Sequence, residues 1–154
     1  MSVSLAVLFV HVLGVVVWVG GLVYQAHVLL PAARRGAVAA FAESAGRARP
    51  ATWTAIALVI LTGFYNVTQL GSLERVMQTG AGLMLAAKFT LVILAVALAG
   101  QRDFAHVSLL RAVLASGGDP APSLRAIARL DRVVLVLAVV VIWLGLAVSR
   151  ARLG

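Results

Sequence analysis

Two side chains in this sequence could do chemistry in surroundings that would otherwise disfavour them. His11 opens the run "HVLGVVVWVGGL" and Lys88 lies inside "LMLAAKFTLVIL". Ionisable groups in such apolar runs are costly, and by default they mark functional sites. An imidazole can ligate a metal ion or a haem iron. A buried ammonium needs an anionic counter-group, and the apolar runs hold no Asp or Glu, so the carboxylate of a ligand is the natural one.

His11 stands seven residues after Ser4 and Lys88 eight after Gly80, which puts them roughly 10 and 12 Å below a membrane surface at the helical rise. Asn66 and Met84 fall in the same layer. His11, Asn66, Met84 and Lys88 are therefore candidates for one ligand site, with His11 as the metal ligand. Trp18 shares the stripe of His11, because the spacing His11, Gly14, Trp18, Gly21 follows one helix face. His27 lies sixteen residues past His11, about 160° around the helix, and should point away from that stripe. His106 lies eighteen residues past Lys88, about five turns on, and should share its face. These two histidines could bracket a second cofactor at the opposite membrane surface. No catalytic residue follows from the spacings.

The elements that must position these residues are transmembrane helices. Of 154 residues, 62% are hydrophobic and 12% charged, far from the balance of a soluble domain. Four apolar segments, about 4–30, 51–70, 80–100 and 133–149, each approach the length that spans a bilayer. The first has no basic residue before it and is too long for a signal peptide, so a retained helix is expected. Nothing repeats, and a single integral membrane domain is expected. The absence of cysteine removes disulfides and thiolate metal sites.

The net charge of +8 comes from arginines in the gaps between apolar runs, which suits anionic lipid headgroups rather than nucleic acid. Four lie in residues 31–50, five in residues 101–132 and three elsewhere. That bias puts both termini outside the cytoplasm of a bacterial-type inner membrane. The prolines of "PAARRGAVAAFAESAGRARP" should bracket a connection, "SGGDPAP" should break the third, and Ser123 can cap the approach to the last helix.

Small and polar residues gather on one side of each segment: Ser4 to Gln25 on the first, Thr52 to Gln69 on the second, Ala81 to Ala99 on the third, Asp131 to Ser149 on the fourth. In membranes that side meets other helices. The expected fold is all-α, a transmembrane four-helix bundle with these faces inward.

The same segments resemble the copper-resistance protein D superfamily and the related membrane protoporphyrinogen oxidases that contain haem b. The resemblance rests on "HVLGVVVWVGGL" with "LLP" on helix 1, "LTGFYN" on helix 2, "LMLAAKFTLVIL" on helix 3 and "QRDF" after it. It implies a haem b-binding membrane protein with a redox or electron-transfer role, a membrane oxidoreductase in the oxidase branch, with His11 as axial ligand and Lys88 on a haem propionate. That branch would carry another His late in helix 3 and an Asn-Glu-x-Pro-like start to helix 4. Here Leu98, Ala99 and "RLDRVV" stand instead. With no second His at the depth of His11, such a haem would be five-coordinate or weakly six-coordinate. The alternatives are copper handling or transport, which the presence of only three Met and no Cys disfavours, and a cofactor-free assembly subunit. The lipid bilayer is the first partner. A redox partner or quinone and a second copy of the chain complete the set these readings allow.

Overall fold

The computed structural model describes residues 2–69 and 80–150. Among these residues all regular structure is helical. The elements are α1 (Val3–Tyr24), a π-helical turn (Gln25–Leu29), α2 (Leu30–Arg34), α3 (Val38–Thr68), α4 (Gly80–Gly100), a second π-helical turn (Gln101–His106), α5 (Val107–Ala115) and α6 (Ala121–Arg150). The π turns join their neighbours into continuous rods, so four helices are long and apolar enough to cross a membrane: Val3–Arg34, Val38–Thr68, Gly82–Ala115 and Ala121–Ala147. The all-α membrane bundle expected from composition is what the chain forms. Arg75 and Arg152, two of the three arginines counted for the opposite side, lie outside the described residues.

The helices begin and end differently from the proline-based expectation. Residues 38–50 belong to α3, which runs straight through Pro50. The break falls at Gly36 instead, where a φ of 115° ends α2. The Gly36 amide donates to Ala33 and the Ala37 amide to Ala32, a Schellman ending that a residue with a Cβ resists. Gly117, with φ 70°, ends α5 in the same way through Gly118 to Val113. Pro31 sits in the first turn of α2, just after a π turn has widened the helix ahead of it. The last helix starts at Ala121, whose amide bonds the Asp119 carboxylate at 2.9 Å. Ser123 is buried inside that helix and does not cap it.

α1 lies along α3, and α4 lies along α6. Gly14 permits the closest part of the first pairing. A Cβ there would stand 2.9 Å from the Val59 Cγ2 and 3.2 Å from the Ala55 carbonyl oxygen. Two apolar layers fill the interior. One, at the α2 end, joins Leu30, Phe41, Leu110 and Ile127. The other, nearer mid-span, joins Trp18, Ile56, Ala95 and Val134. Arg111 straps α5 to α3, crossing at side-chain-free Gly46 to donate to the Ala42 carbonyl at 3.1 Å. The exposed surface is rich in large apolar residues such as Phe9, Val16, Leu61, Ile93, Val136 and Trp143, the face that lipid covers.

Candidate functional site

Two polar layers interrupt this apolar bundle. The outer one lies near the start of α1 and α4. His11 on α1 is half-buried and meets Thr62 on α3, with Nδ1 2.9 Å from the hydroxyl oxygen. The Thr62 hydroxyl has one proton, and it donates this to the Leu58 carbonyl one turn back. With the hydroxyl proton on Leu58, the hydroxyl accepts from His11 Nδ1 and Nε2 keeps its lone pair. That is one of the two neutral tautomers through which an imidazole binds a metal, held by a partner on the far ring nitrogen. Gly63 makes room for the ring, since a Cβ there would approach the imidazole Cε1 to 3.4 Å.

Lys88 on α4 is also half-buried, and its ammonium lies within electrostatic reach of the imidazole. The side chain turns inward instead of snorkelling. Its Nζ rests against Gly145 on α6, 3.3 Å from where a Cβ would be. Among the described residues no carboxylate pairs with it. One electron-pair donor and one cation, held by side chains from α1, α3, α4 and α6, make up this layer.

The inner layer is a hydrogen-bonded network centred on one arginine. Arg102 in the second π turn is buried and uses each of its three nitrogens. Nε donates to Asp131 Oδ1 at 2.9 Å, Nη1 to Asp103 Oδ1 at 2.5 Å, and Nη2 to the Gln25 side-chain carbonyl. The other Asp103 oxygen accepts from Trp53 Nε1 at 3.0 Å, and its backbone carbonyl accepts from Arg49 at 2.7 Å. The Arg49 guanidinium also lies 5.1 Å over the Phe104 ring. All four spanning helices contribute. Both π turns serve this layer, since Gln25 opens the first and Arg102 and Asp103 lie in the second. Adjacent residues of an α-helix diverge, and the wider π turn lets Arg102 and Asp103 face inward together. Asp131 Oδ2 is buried without a protein partner among the described residues. A cavity of about 20 Å³, lined in part by Gln25, Thr52 and Asp131, adjoins this layer and is the size of one water.

With this geometry in place, the family model for copper resistance protein D matches residues 45–148. The chain belongs to the copper resistance protein D family. No curated protein and no solved structure matches it. The match covers Thr62, Lys88, Arg102, Asp103 and Asp131 and stops short of α1, so His11 enters the site on its geometry alone.

The residues singled out from sequence divide between the layers and the surface. His11 and Lys88 lie within electrostatic reach of each other. Asn66 follows Thr62 by one turn on α3 and is partly buried, whereas Met84 is 39% exposed. Trp18 is buried but belongs to the apolar layer and lines the small cavity beside Arg102. His27 is exposed, and its Nδ1 donates to the Val23 carbonyl at 3.0 Å. His106 closes the second π turn, which breaks the five-turn register projected from Lys88. Among the described residues no group of three or more His, Cys, Asp or Glu gathers around a point. Neither of the two cavities is lined by His11. The haem b expectation therefore finds no support in this copper resistance D chain.

The sequence reading missed the Arg102 network. It placed all the arginines at the membrane surface and the acidic residues outside the spans, yet Arg102, Asp103 and Asp131 are all buried within spanning helices. Gln25 and Asp131 did fall on the inward stripes. The available signal was a polar residue at the end of each stripe with "QRD" between.

Proposed function

We propose that this copper resistance D protein handles copper ions as cargo in the membrane, taking them up transiently at the outer layer through His11. The observation that carries the reading is the Leu58–Thr62–His11 relay, which leaves Nε2 as a lone-pair donor inside a bundle of this family. Imidazole nitrogen and thioether sulfur both suit copper, and Met84 is the methionine on α4 nearest in sequence to Lys88. A site with one imidazole beside an ammonium holds a cation weakly. Weak retention suits an ion that must leave again. The Lys88 charge then favours delivery with an anionic co-ligand or rapid release.

The chain acts as a single membrane domain of a bacterial-type inner membrane, with its arginine-rich connections in the cytoplasm. Arg102 is buried and drops out of the positive-inside count, which leaves eight of the nine arginines on that side. The haem b reading, with its oxidase link and redox partners, is the competitor.

The test is purified protein in liposomes, with copper flux and bound copper followed by elemental analysis and the visible spectrum recorded. Wild type should bind and pass copper without a Soret band. His11→Ala should abolish both activities and His27→Ala should leave them intact. A Soret band lost in His11→Ala, with no copper dependence, would return the haem reading.

A further inference from the structure

A cleft of about 240 Å³ opens between the α1–α2 rod and α6, and none of its lining residues belongs to either polar layer. Arg34 and Arg132 stand in its wall with His27, and Leu30, Pro31 and Leu135 give it an apolar lining. Both guanidinium groups are exposed, and neither has a carboxylate partner among the described residues. The copper reading does not use them. Two unpaired guanidiniums converging on one cleft form a recognition site for a phosphate group, which arginine binds in bidentate fashion.

The surroundings decide which phosphate. From Leu135, the positions four, seven and eleven residues on along α6 are Val139, Ile142 and Leu146, and all three are exposed. These spacings keep them on one helix face, so an apolar track leads from the cleft along the membrane-spanning part of α6. A free phosphate has no use for such a track, whereas acyl chains do.

We propose that this cleft is a specific site for an anionic phospholipid, with its headgroup phosphate between Arg34 and Arg132 and an acyl chain along the Leu135–Leu146 face. The site is independent of the copper reading, because it shares no residue with the outer layer.

The test uses the full chain, delipidated in detergent and then titrated with phosphatidylglycerol under native mass spectrometry. Wild type should retain one phosphatidylglycerol in preference to phosphatidylcholine. Arg34→Gln/Arg132→Gln should weaken that retention by roughly tenfold or more, since each basic residue near an anionic headgroup contributes a several-fold factor. Arg125→Gln/Arg129→Gln removes two exposed arginines of the same helix that do not line the cleft, and it should change little. Inorganic phosphate at millimolar concentration should not displace the lipid. Equal losses in the two double variants would reduce the effect to general surface charge and overturn the proposal. Displacement by phosphate would overturn it in favour of a soluble anion, and equal retention of phosphatidylcholine would overturn its charge selectivity. All the residues changed are on the surface, and a monodisperse elution profile confirms that each variant is folded.

Discussion

The two polar layers of this bundle use similar side chains to opposite ends. In the inner layer every nitrogen of the Arg102 guanidinium has an acceptor, and Asp103 is held on both carboxylate oxygens and its carbonyl. In the outer layer the Nε2 of His11 is left as a donor of electrons, and among the described residues no carboxylate pairs with the Lys88 ammonium. A buried polar network that is complete fixes how elements dock. One that is incomplete has capacity left for a ligand. The inner layer keeps unused atoms too, Asp131 Oδ2 and Arg49 Nε among the described residues, so the lock is marked by its fully paired guanidinium and not by complete satisfaction.

The contrast can be broken most severely at Asp131. Asp131→Ala would leave the Arg102 charge buried with Nε unpaired, and breaking such a pair costs about 3–5 kcal/mol. Thermal unfolding in detergent should show a large loss of folded protein. An unfolding curve like that of wild type would mean that the inner layer does not hold the helices together.

Gly14 lies between the layers, and Gly14→Ala should destabilise by about 1–3 kcal/mol by forcing α1 off α3. Gly21→Ala, where an added Cβ meets nothing within 4 Å, should be neutral in the same assay. Equal effects would remove the close approach at Gly14 from the account.

At the outer layer, Thr62→Val keeps the shape but takes away the acceptor for His11 Nδ1. Stability should fall by only about 1 kcal/mol, whereas copper affinity should drop roughly 10- to 100-fold through loss of ring orientation. That split is the signature of a positioning residue. A proportionate loss of both would make Thr62 a packing residue only.

The smallest effect is expected at the surface pair Glu43–Arg47, 2.6 Å apart and 80% and 63% exposed on the arginine and glutamate side chains. Arg47→Ala should cost roughly 0.5 kcal/mol or less. A larger cost would show that exposed ion pairs matter in this protein as buried ones do.

Hydropathy made the four spans legible, because the requirement for about 20 apolar residues acts on each segment by itself. The inward stripes were legible in part: Gly14, Trp18, Gln25, Ala55, Val59, Ala95, Asp131 and Ala138 are buried, whereas Met84 and Ile142 of the same stripes are exposed. The helix ends were less legible, since Pro31 and Pro50 are strong local signals that the bundle overrides, and Gly36 provides the actual break.

What the sequence determined by itself was the class of the fold and much of the side of each helix that faces inward, both of which follow from local periodicity. Tertiary structure alone decided that Arg102, fifty-three residues after Arg49 and twenty-nine before Asp131, is a core residue and not a surface one. It also decided that the Nδ1 of His11 meets the Thr62 hydroxyl. Both outcomes depend on which groups meet across helices and on the one-residue phase shift of each π turn, and no pattern along a single helix encodes those.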